Sequence, residues 1–155
     1  MVQTSINAKQ AFGVEGSIYD QSPVRALPYT AGSGGVKIGY VCTADDDAPS
    51  IANLGGSDVF VGIAINHLEH ANSGLSASMT LPAGSQVTCC TFGRVVVRSA
   101  TSFKIGYYAV YNTTTGAISG QSSSSPASGY ALIPNAKFVE VNGSAGELGV
   151  LELSN

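Results

Sequence analysis

Few residues of this 155-residue chain could do chemistry, and they are scattered. Both histidines fall in one run, His67-Leu68-Glu69-His70, which invites a metal reading. On a strand, positions 67 and 70 point to opposite faces. On a helix they share one, yet no third ligand follows at zinc spacing and the HExxH order is missing. Asp45-Asp46-Asp47, ahead of Pro49, is the one charge cluster. A calcium loop needs ligands at staggered positions, a Gly and a closing Glu; this run lacks them and reads as a solvated turn. Gly32 to Gly35, GSGG, precede Lys37. A phosphate-cradling loop needs a strand before its glycines and a helix after them, whereas the residues after these are strand-like. Cys42, Cys89 and Cys90 are an odd number, and adjacent cysteines rarely bridge each other because the geometry is strained. Reduced, mostly buried thiols are expected. The residues thus predict no catalytic group, no metal and no cofactor.

The bulk numbers point the same way. At this length folding buries roughly two thirds of the surface that an extended chain exposes, enough for a core without staples. The charged fraction is 11%, against roughly 25% in soluble domains. Disorder couples low hydrophobicity to high net charge; here mean hydropathy is positive and the formal net charge is −3. So sparse a charge on a free monomer invites association, and much of this surface is expected to be covered by other copies or a partner. Lys and Arg number 7 and form no stripe, which argues against nucleic acid. No apolar run approaches the roughly 18 residues of a membrane helix. The N-terminal MVQTSINAKQ lacks the regions of a signal peptide, so synthesis in a cytoplasm is expected.

The elements that would position any site read as strands. Leu81 to Arg98, LPAGSQVTCCTFGRVVVR, opens on a Pro-Ala-Gly turn and alternates with period two on either side of Gly93. That pattern predicts strand pairing in a sheet. Val36 to Cys42 reads as a strand, as does Asp58 to about Asn66, whose two parities are both apolar or small and predict cover on both faces. Tyr107 to Tyr111 reads as a strand returning at Ala117, its tyrosines suited to core or subunit packing. Residues 119–129, SGQSSSSPASG, predict an exposed loop. The chain closes with AKFVEV, a turn, and ELGVLEL, apolar on both parities and so expected inside a sheet. Sequons at Asn112 and Asn142 read as turns. Val14 to Thr30, with Pro23 and Pro28, reads as loop with short extended pieces. Residues 1–15 read as an extended arm in which Val2, Thr4 and Ile6 alternate with Gln3, Ser5 and Asn7, without a hairpin partner close in sequence. Short strands, many turns and no helix predict an all-β fold, a single antiparallel β-sandwich or barrel over 1–155 with that N-terminal arm.

The chain resembles the structural cement (capsid decoration) proteins of tailed bacteriophages. The resemblance rests on AFGVEGSIYDQSPVR, GGVKIGYVC and VFVGIAIN, then LPAGSQVTCCTFGRVVVR, GYYAVYNTTTGAI and AKFVEVNGSAGELGVLEL, in that order across nearly the whole chain. The Ser-rich loop at 119–129 and the Cys89-Cys90 pair depart from it. The resemblance implies a β-rich, jelly-roll-like, non-catalytic homo-oligomer on the outside of a phage head that clamps capsomers together. Its partners would be the major capsid protein and itself, as a homotrimer, with a dimer as the alternative. Val2, Ile6 and Phe12 in the arm are the expected capsid or subunit contacts. Two other readings are open: a tail or surface module that holds a glycan through the tyrosines and the Ser-rich loop, and, ranked last, an enzyme using His67, Glu69, His70 and the cysteines. An enzyme would need a thiol beside a base, with a depressed pKa.

Overall fold

Residues 13–66 and 79–154 are described by a computed structural model, and among them are eleven strands and no helix. The strands are β1 (Arg25–Ala31), β2 (Val36–Lys37), β3 (Val41–Ala44), β4 (Ile51–Leu54), β5 (Val59–Ile65), β6 (Thr80–Leu81), β7 (Gln86–Arg98), β8 (Tyr108–Asn112), β9 (Ile118–Gln121), β10 (Tyr130–Val139) and β11 (Leu148–Leu153). The all-β expectation holds.

The run 81–98 is organised around one long strand, β7, rather than a pair of strands. The first half of β7 pairs with β1 and β5, and the second half pairs with β11. The order β5-β3-β4 continues from β7, and β4 returns to β1 through Thr30–Ile51 and Ala31–Ala52, closing a five-stranded ring. That β1–β4 contact is parallel, the one exception to antiparallel pairing. From the second half of β7, the order β11-β10-β8-β9 forms the other layer of the sandwich.

A bulge lets β7 serve both layers. Arg25 faces Phe92 but Ala26 faces Cys90, so Thr91 is left out of the register. An extra residue in a strand flips the parity beyond it. Val87 and Cys89 therefore point into the ring, whereas Cys90, Val95 and Val97 all point into the core between the layers. β5 does the same on a smaller scale: Ile63 and Ile65 face the layer core and Ala64 the ring, so both of its faces are covered as its composition predicts. Gly62 is required there, because a Cβ would lie 2.7 Å from the Cys90 carbonyl oxygen.

The structure corrects three boundaries. Val36–Cys42 is broken into β2 and β3 at Gly39, whose φ of 84° belongs to a turn. β10 begins at Tyr130, ahead of the AKFVEV run. Its pairing with β8 shifts register between Leu132 and Lys137, and Pro134 and Asn135 (φ 51°) sit in that irregularity, where a residue without an N–H is tolerated. β1 forms through Pro28, in the stretch that reads as loop. Thr30 donates its N–H to Ser50 O on the β4 side, so the Pro28 nitrogen, two residues earlier, faces the same side. β4 pairs with β1 only at Thr30 and Ala31, so the proline costs no ladder bond.

Candidate functional site

Among the described residues, the groups that could do chemistry do not converge. Cys42 and Cys89 lie in the ring interior with their thiols hydrogen-bonded, and that bond, then burial, pushes the Cys89 thiol far above its ordinary value. Cys90 donates to Phe92 O at 3.2 Å, and burial pushes its thiol up as well. All three cysteines are free and buried, so none presents an accessible thiolate. Tyr111 is buried and donates its hydroxyl to Gly56 O at 3.1 Å, and Tyr107 packs against the layer core. Packing is what their spacing predicts.

Asp45 accepts the Asp47 N–H on its side chain at 3.0 Å and the Ala48 N–H on its carbonyl at 3.0 Å, forming an exposed turn. Lys37 is held on Tyr40, 2.9 Å from the hydroxyl and 4.3 Å from the ring centre, and no helix follows the glycines before it. Among the described residues no cluster of His, Cys, Asp and Glu could hold a metal. His67, Glu69 and His70 lie outside the described residues, as do Val2, Ile6 and Phe12. β9 extends to Gln121, leaving 122–129 as the exposed Ser-rich loop.

Two features escape the sequence. The first is an ion cluster: Arg94 reaches Glu152 at 2.7 Å, Glu140 at 2.8 Å and Asp20 at 3.4 Å. Arg94 and Glu152 are cross-strand partners on β7 and β11, while Asp20 and Glu140 come from flanking turns. Ser22 donates to Asp20 through its hydroxyl and its N–H, and those bonds, with Arg94, hold the Asp20 carboxyl below the usual range.

The second is a sheet edge. Because β4 meets β1 only at Thr30 and Ala31, the outer edge of Arg25–Tyr29 carries no strand among the described residues. Leu27 lies opposite Cys89, so its side chain shares the face that lines the ring, yet it is 44% exposed, and no described strand continues the sheet beyond it. Val24 and Ile51 are exposed nearby. Across the ring, Gly16 O accepts from Asn66 N at 2.8 Å and Met79 O accepts from Ile38 N at 2.9 Å. Gly39 N–H, next to Ile38, donates to Ala64 O at 2.7 Å. Gly16, Asn66 and Met79 therefore meet around Ile38 and Gly39.

This architecture has relatives in phage heads. It superimposes with a TM-score of 0.72 on a chain of the capsid of Myoviridae phage XM1, at 13% identity, covering 98% of this chain and 96% of that one. The base of the head fibre gp8.5 of bacteriophage phi29 matches with a TM-score of 0.50 at 13% identity, over 85% of this chain and 95% of that one. At such identity these likenesses speak for the fold alone. No sequence among characterised proteins matches significantly. Residues 2–154, however, match the family described as structural cement protein (E217 gp24/Pam3 gp6). That match over nearly the whole length has one conclusion: the chain belongs to the structural cement protein family and is a structural component of a phage virion.

Proposed function

We propose that this protein binds the outer surface of a phage head across junctions between capsomers, as a homotrimer, and thereby holds the shell together. The observation that carries the reading is the family match over residues 2–154. The physical basis is linkage: a ligand that binds the assembled lattice and not its separated subunits stabilises the lattice by mass action. Such a ligand needs contact area rather than catalysis, and a chain with 11% charged residues has little electrostatic reason to avoid contact. Val2, Ile6 and Phe12 in the N-terminal arm are the proposed contacts with the shell or a neighbouring copy. The period-two pattern of residues 2–7 suits a segment that adds to another chain's sheet through main-chain hydrogen bonds.

Co-sedimentation with empty shells of its own phage, followed by heating with and without the protein, tests the proposal. Binding at a fixed copy ratio and survival to higher temperature are expected. Failure to bind mature shells would remove it. Light scattering on the free protein checks the trimer, and truncation of residues 2–12 is expected to abolish shell binding while the chain still folds.

A further inference from the structure

We infer that the open edge of β1 receives the N-terminal strand, residues 2–7, of a second copy of this chain. The inference rests on the cement reading and names the surface through which copies would be tied. Five residues, Arg25 to Tyr29, have no strand on that edge among the described residues, a length of about 17 Å at the rise of a strand. The alternation established by Thr30 turns the carbonyls of Ala26 and Pro28 outward on it. An unpaired edge is a template for a further strand. Leu27 faces the ring interior without being covered, so the sheet lacks a strand where its apolar face continues.

Three properties of the N-terminal segment fit that edge. Its period-two pattern, Val2-Thr4-Ile6 against Gln3-Ser5-Asn7, supplies one apolar and one polar face. Six residues span about 20 Å, and residues 8–12 add up to about 17 Å of tether before Gly13. The charges match too. Residues 1–12 contain Lys9 and no acid, while the acidic turn Asp45-Asp46-Asp47 leads into the start of β4 beside the edge, through Ala48 O to Ile51 N and Ser50 O to Thr30 N. Arg25 stands at the far end of the strand.

Leu27 is exposed and the native thiols are buried, so cysteines can be placed without disturbing the fold. Full-length Thr4→Cys and Leu27→Cys chains are mixed, bound to empty shells or kept free, and treated with a short bis-maleimide. A band of two chains is expected from the mixture at least ten-fold stronger than from either variant alone. The double variant T4C/L27C should form ladders of two and more chains. An internally bridged single chain would show that the arm covers its own β1, and no cross-link would show that the edge takes something else; either overturns the inference. The same samples are sedimented with shells. Variants that bind shells without cross-linking remove this contact and leave the cement role standing, whereas a wild-type chain that does not bind removes the role itself.

Discussion

The rings of Phe103 and Phe138 stack with their centres 4.6 Å apart at an interplanar angle of 28°, and glycines make room for them. Phe103 is fully buried, and its side chain abuts Gly120, Gly143 and Gly149. A Cβ added at Gly149 would lie 2.6 Å from the Phe103 ring, and one at Gly143 would lie 2.5 Å from it. The stack lies in the core between the ring and the outer layer, so it ties the segment before β8 to β10 and β11.

Gly149→Ala should therefore destabilise the protein by about 1–3 kcal/mol through overpacking, and Phe103→Ala by about 3–5 kcal/mol through the cavity it leaves. Gly149 is not in the left-handed region, so its effect reads the steric clash alone. Gly34→Ala is the control: nothing lies within 4 Å of the added Cβ, and no change is expected. Denaturant melts of the three variants check this. A Gly149→Ala midpoint equal to wild type would mean that the ring has room to move.

The buried thiols should make the protein labile to alkali. Cys89 and Cys90 have folded-state values raised above those of the unfolded chain, so the folded state keeps protons that the unfolded state releases. Stability is thus fully present below the ordinary thiol value and falls as pH rises through roughly 8.5. Denaturant titrations between pH 7 and 10 are expected to show the decline, and Cys90→Ala should reduce its slope. Thiol reagents should label no native cysteine below that range and all three after denaturation.

Arg94 holds three carboxylates, and without it they face each other unscreened. Arg94→Met should lower stability modestly at low salt and less at high salt, because the groups are exposed and screened. Asp20 works in the opposite pH direction to the thiols. Its folded value is depressed by Ser22 and Arg94, so its contribution is present above the ordinary carboxylate range and is lost as pH falls through the folded value. Salt-dependent melts of wild type and Arg94→Met near neutrality and in acid check both statements.

What could be read from the sequence followed from how local each feature is. β5, β7, β8 and β11 carry their own signal, since each is long enough to show alternation or two apolar parities. β1 and β10 contain Pro28 and Pro134, which mark a break to any local reading. Tertiary structure tolerates them because one faces an edge that no described strand occupies and the other lies in a register shift. The change of parity in β7 was visible only as Gly93, whereas the residue left out of register is Thr91, a matter of pairing with β1. The Arg94 cluster gathers groups 74, 46 and 58 residues away, and no spacing rule connects them. The open edge is the most remote from sequence of all, because an edge exists only once every other pairing has been made.

Pro28 gives that edge its selectivity. Proline on an outer strand withholds a donor from any arriving chain, one way in which natural sheets limit edge-to-edge association. Pro28→Val would restore the N–H on the side facing away from β7 and favour the strand conformation. The altered edge could then pair with another β1 as readily as with an arm. We expect Pro28→Val to fold with unchanged or slightly higher stability but to self-associate, forming species larger than the wild-type protein does by light scattering. Binding to shells at the wild-type copy ratio should fall as the edge is occupied by the wrong partner. An unchanged size distribution would mean that Leu27 and Ile51, rather than the missing donor, decide what this edge accepts.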